Sequence, residues 1–96
     1  MEVLVTYDVA TETAAGRRRL RKVAEICQAY GQRVQKSVFE CLVTPAQYER
    51  LKYRLRAVIE PNEDSLRFYR LAEPRERYLE TMGRQLVYDL HHPLVL

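Results

Sequence analysis

Residues 2–8 read EVLVTYD, and this stretch decides the fold. It is apolar and β-branched, which predicts a strand, and it ends on a lone carboxylate, Asp8. Alternation sends Val3, Val5 and Tyr7 to one face and Leu4, Thr6 and Asp8 to the other. Both faces carry apolar residues near the start, so both need cover. Helices suit one of them. What covers the second face determines what Asp8 does.

Outward from this strand runs a polar loop, VATETAAG at 9–16, with Thr11 or Thr13 as the cap of a helix. Leu20, Val23, Ala24, Cys27 and Tyr30 then recur at three- and four-residue steps, which predicts a helix running to about Tyr30. Gly31 follows as a left-handed terminator. Residues 33–43, RVQKSVFECLV, read as a strand whose alternation breaks at 35–37, where a bulge or a split into two strands is expected. Thr44-Pro45-Ala46-Gln47 forms a capping box with Pro at the first helical position. The helix it opens puts Tyr48, Leu51, Leu55, Val58 and Ile59 on one face. EPNED at 60–64 is a turn, and SLRFYRL at 65–71 is another strand.

That order predicts an α+β, ferredoxin-like βαββαβ sheet with both helices on one face. The other face, carrying Leu4 and Thr6, is left bare, and a two-fold homodimer is its simplest cover. In the tail, 72–96, a stretch from Arg75 to Met82 precedes RQLVYDL at 84–90, which has strand character and could add to a sheet edge, including the partner's. The closing PLVL is apolar and expected to dock.

At 96 residues the chain is one domain, 1–96, with 72–96 as the tail that completes the dimer. Its 47% apolar and 30% charged content places it among globular chains. A net charge of +3 permits a nucleic-acid partner without requiring one. The charge is uneven: from Arg17 to Lys36 seven basic residues stand against one acid, Glu25. Cys27 and Cys41 fall at apolar positions and read as small buried hydrophobes, which suits a reducing compartment. With no secretory pattern at the start and no membrane-length apolar run, a cytoplasmic location is expected.

Asp8 has two readings. It is a turn-forming residue at a strand end, or it meets its own copy across a two-fold axis. Two close carboxylates repel, and a divalent cation relieves the repulsion. Mg2+ suits such a site because it takes one or two carboxylates, keeps waters and completes its shell on phosphate oxygens. The cations Arg17, Arg18, Arg19, Arg21 and Lys22 are either a solvated helix face or phosphate contacts. Five cations at a helix N-terminus oppose the macrodipole, which favours the functional reading. Gly16 before them would let a phosphate backbone come close. Arg33 and Lys36 extend the basic stretch. Phe39 is core or dimer interface in preference to a stacking platform, and Ser37 lacks a partner base for nucleophilic work. His91 and His92 are adjacent, so their side chains diverge on a strand, which disfavours metal binding.

Taken together, VLVTYDV (3–9), GRRRLRKVA (16–24), YGQRVQKSVFEC (30–41) and DSLRFYRL (64–71) resemble the CRISPR-associated Cas-two family, the small subunit of the spacer-acquisition machinery. The tail looks most like members that accompany type I-C systems. The resemblance implies a ferredoxin-like homodimer with facing sheets, and a Mg2+ ion shared by Asp8 of the two chains. It implies a place in CRISPR antiviral defence, as a duplex-DNA-binding dimer that bridges the Cas-one integrase during spacer integration. It also implies metal-dependent endonuclease activity on double-stranded DNA or single-stranded RNA, although a bridging member need not cut. Asp8 matches the family's metal-binding aspartate, with Tyr7 before it; the cluster Arg17–Arg19, Arg33, Ser37 and Phe39 match kept positions. Many members carry a second acid beside the first; Val9 stands there instead, which makes a dimer-shared metal more necessary. Two rivals remain: a free-standing toxin-like endoribonuclease, and a non-catalytic ferredoxin-like binding module.

Overall fold

The computed structural model describes residues 1–72 and 74–85. Its elements run β1 (Glu2–Asp8), α1 (Ala14–Gln28), β2 (Gly31–Gln35), β3 (Val38–Leu42), α2 (Pro45–Val58), β4 (Ser65–Leu71) and a single turn, α3 (Arg75–Tyr78). The four strands form one antiparallel sheet in the order β2-β3-β1-β4. This is the expected ferredoxin-like arrangement. β1 sits in the interior of the sheet, where an apolar, β-branched strand belongs.

The alternation of β1 is the organising feature. Val3, Val5 and Tyr7 are buried beneath the helices, while Leu4 and Thr6 are only partly covered and Asp8 is exposed. Phe39 and Cys41 of β3 join the buried face, and Val23, Ile26 and Cys27 of α1 with Tyr48, Leu51 and Leu55 of α2 close the core over it. The opposite face exposes Leu42 at 73% and Tyr69 at 43%. It is the face that the strand pattern leaves without α1 and α2; among the described residues its Glu2 and Glu40 end is met by Tyr78 and Arg75.

Local chemistry explains the element ends. Thr13, not Thr11, caps α1, its hydroxyl accepting from Gly16 N at 3.0 Å. Thr44 and Gln47 complete the capping box on α2 through both reciprocal bonds, 3.1 and 2.8 Å. The expected break at 35–37 is a hairpin: β2 and β3 are separate strands, with a register shift between Arg33 and Gln35. Ile59 is the C-cap of α2, just past its last helical residue.

Two glycine expectations are corrected. α1 stops at Gln28, and Gly31 is the first residue of β2 and not a left-handed cap; among the described residues only Gly83 has positive φ. A Cβ at Gly31 would run into the Glu40 carbonyl and Cys41 Sγ, so this glycine serves the close approach of β2 to β3. Gly16 is buried, and a Cβ there would strike the Ala10 carbonyl. It faces the β1–α1 loop and not an incoming phosphate.

After β4 the chain ties back to the sheet. Arg75 pairs with Glu40 at 3.1 Å, and the Tyr78 hydroxyl donates to Glu2 at 2.9 Å. Residues 84 and 85 are not in a strand, and the rest of the expected 84–90 strand, His91, His92 and the PLVL end lie outside the described residues. No described helix is long and apolar enough to cross a membrane.

Candidate functional site

Asp8 closes β1 on the bare face. Its ladder partner in β4 is Ser65, and Arg67 stands opposite Thr6 on the same face. The Asp8 carboxylate is exposed and makes no hydrogen bond or ion pair among the described residues.

The hairpin between β2 and β3 packs beside this strand end. Tyr7 N donates to the Ser37 carbonyl at 3.1 Å, and the Tyr7 hydroxyl donates to the Lys36 carbonyl at 3.2 Å. The Tyr7 ring stacks on Phe39, centroids 6.2 Å apart. Burial raises the pKa of the Tyr7 phenol, and the neighbouring Arg33 guanidinium offsets part of that rise. Tyr7 and Phe39 are thus core residues that hold the strand and hairpin beneath Asp8. Phe39 is fully buried, so it offers no base-stacking surface.

The basic residues divide into groups. Arg17, Arg18, Arg21 and Lys22 are exposed on α1, Arg17 bonding back to the Thr11 carbonyl at 3.1 Å. Lys36 is exposed at the hairpin tip. Arg33 lies over the Phe39 ring, 5.2 Å from its centroid, with Nε buried and lacking a hydrogen-bond partner among the described residues. Arg19, which the sequence groups with the exposed cations of α1, is turned inward. Its Nε donates to Asp64 Oδ2 at 2.8 Å and its terminal nitrogen to Oδ1 at 3.3 Å. Asp8 and the head of α1 are thus at one end of the domain, Asp8 on the bare face and the cations on the helix layer.

Sequence reasoning missed two features. Arg67 is an exposed cation on the face of Asp8, hydrogen-bonded to the Tyr69 hydroxyl at 3.1 Å. The alternation of SLRFYRL contains it, but only the β1–β4 register shows that its face is Asp8's. Asp64 ends the turn that the sequence predicts at 60–64, and it is the buried anchor of Arg19.

Among the described residues no group of three or more His, Cys, Asp or Glu side chains could hold a metal ion. A site with the Asp8 carboxylate alone suits a cation that retains most of its waters. Asp8 would supply one oxygen ligand to such a cation. Cys27 and Cys41 are buried thiols pushed up to about 12 and about 11, first by burial, and they behave as the expected hydrophobes.

Residues 1–78 match the family model described as CRISPR associated protein Cas2. The chain is 57% identical to a CRISPR-associated endoribonuclease Cas2 of Moorella thermoacetica over all of both chains. It is 50% identical to a CRISPR-associated endonuclease Cas2 of Halalkalibacterium halodurans, covering 99% of each. Among solved structures it is similar to Streptococcus pyogenes Cas2, at TM-score 0.78 and 59% identity, across 86% of this chain and all of that one.

Proposed function

Because this chain belongs to the CRISPR-associated Cas2 family, we propose that it acts in spacer acquisition as a homodimer that binds duplex DNA, bridges the Cas-one integrase in the cytoplasm, and hydrolyses phosphodiesters with Mg2+ through Asp8. The observation that carries this reading is the placement of Asp8: an exposed carboxylate on a sheet face that also exposes Leu42 and Tyr69. Pairing that face with a second copy buries apolar surface and brings a second Asp8 to the same face.

In this reading Asp8 of each chain would hold the cation. When bound, Mg2+ supplies an activated water and charge relief at the phosphate. Arg17, Arg18, Arg21, Lys22 and Lys36 hold the nucleic-acid backbone by charge, independent of sequence. Arg67 adds a cation on the face of Asp8. Tyr7 and Phe39 fix the strand end from below, and the Ser37 carbonyl closes the hairpin against it.

Relatives carry both endoribonuclease and endonuclease names, so single-stranded RNA and duplex DNA both belong in the assay. The test combines light scattering with capture of the integrase. A dimer that retains integrase and duplex DNA supports the bridge. A monomer would overturn both the covered face and the shared metal. A dimer that cuts RNA but holds no integrase would support the free-standing endoribonuclease instead.

A further inference from the structure

Asp64 has a fully buried side chain, at 0% exposure. A buried carboxylate is tolerated only when its lone pairs are filled. Here four donors fill them: Ala10 N at 3.1 Å, Glu60 N at 2.8 Å, and the two Arg19 nitrogens at 2.8 and 3.3 Å. These donors come from three separate segments: the loop after β1, the turn before β4, and α1.

All three converge on the neighbourhood of Asp8. Ala10 lies two residues beyond it, and Ser65, next to Asp64, is its partner in the ladder. Ala10 is confined on both sides. Its N–H is held by Asp64, and the carbonyl of the same residue lies where a Cβ on Gly16 would be. Glu63 reinforces the arrangement from the rim, 3.6 Å from Arg19.

We propose that Asp64 and Arg19 are positioning residues that fix the Asp8 end of β1 through the Ala10 amide, and that Arg19 acts through Asp64 rather than on phosphate. The inference rests on the reading of Asp8 as the metal-holding residue. It separates Arg19 from its neighbours Arg17 and Arg18, whose side chains are exposed. A phosphate contact and a positioning contact leave different traces. Loss of a phosphate contact weakens binding to all sequences and lowers the salt slope by about 1. Loss of a positioning contact leaves the salt slope alone and changes the loop and its cation.

The experiment compares Arg19→Gln, Arg19→Lys, Asp64→Asn and Arg18→Gln with the wild-type dimer. Three readouts are taken: hydrogen exchange at the Ala10 amide, paramagnetic broadening near Asp8 by Mn2+, and the salt dependence of duplex-DNA binding. Arg19→Gln and Asp64→Asn are expected to speed Ala10 exchange at least tenfold and to raise the Mn2+ concentration for half-broadening at least fivefold. Arg19→Gln is expected to keep the wild-type salt slope, and Arg18→Gln to lower it. Arg19→Lys keeps the charge but not the two-pronged grip, and should give an intermediate loop effect in a folded chain. A lowered salt slope with unchanged Ala10 exchange in Arg19→Gln overturns the proposal. Wild-type broadening that persists unchanged in Arg19→Gln and Arg19→Lys overturns the positioning alone. No Mn2+ broadening near Asp8 in the wild type overturns the metal reading itself, and this assignment with it.

Discussion

Asp8 stands directly opposite Ser65 in the ladder between β1 and β4, one residue from the buried carboxylate of Asp64. An exposed acid and a buried one therefore share one strand end, and their substitutions should separate cleanly. Asp8→Asn removes no hydrogen bond or ion pair among the described residues, so thermal stability should stay within about 0.5 kcal/mol of wild type. Cation binding should fall at least tenfold, as read by Mn2+ titration. A large drop in stability would mean that Asp8 is structural.

Asp64→Asn should do the reverse. It leaves the Arg19 guanidinium without its opposing charge at a part-buried site, so the variant should unfold at a lower urea concentration than wild type at pH 7. Burial alone would raise the Asp64 pKa, but the Arg19 hydrogen bond and the Glu60 and Ala10 amides outweigh it and hold the carboxyl below its ordinary 3.8. A depressed carboxylate stabilises the fold above its unfolded pKa and loses that contribution as pH falls through the folded value. Wild-type stability should therefore decline below about pH 4. The Asp64→Asn curve should be flatter there, and matching acid limbs would refute the assignment.

The exposed α1 cations should behave as phosphate contacts. Each of Arg17→Gln, Arg18→Gln, Arg21→Gln and Lys22→Gln should weaken duplex binding alike for unrelated sequences and lower the salt slope by about 1. Melting temperatures should hardly move, because these side chains pack against little. If all four single variants bind as tightly as wild type, the duplex lies elsewhere.

The thiols give an independent check on the core. With Cys27 pushed up to about 12 and Cys41 to about 11 by burial, neither forms appreciable thiolate at pH 8. Iodoacetamide should leave both unlabelled in the native protein and label both in urea, read by mass spectrometry. Native labelling of either would show that α1 and α2 do not close over β3 and its neighbours as described.

The fold was largely legible because its determinants are local. The alternation of EVLVTYD assigns both faces of β1, Thr44 and Gln47 announce the head of α2, and the charge at Lys36 betrays the hairpin. The misreadings came where tertiary contact outranks local preference. Gly31 looks like a helix stop from its position after Tyr30, yet the nearness of Glu40 and Cys41 is what requires it. Gly16 looks like an opening for phosphate and instead seats Ala10. Arg19 is indistinguishable in sequence from Arg17 and Arg18, since its partner lies 45 residues away. Arg67 needed the strand register before its face was known. What sequence alone supplies of the site is Asp8 and a local excess of cations; which cations point outward is a property of the packed chain.

The most direct test of the central claim is cleavage of duplex DNA and single-stranded RNA by confirmed dimers, with Mg2+ and with EDTA, for wild type, Asp8→Ala, and heterodimers carrying one copy of each. The expected result is cutting by wild type with Mg2+ only, at least a hundredfold loss in Asp8→Ala, and a comparable loss in the heterodimer. Undiminished cutting by Asp8→Ala, or wild-type cutting in EDTA, would contradict a cation held between the two aspartates.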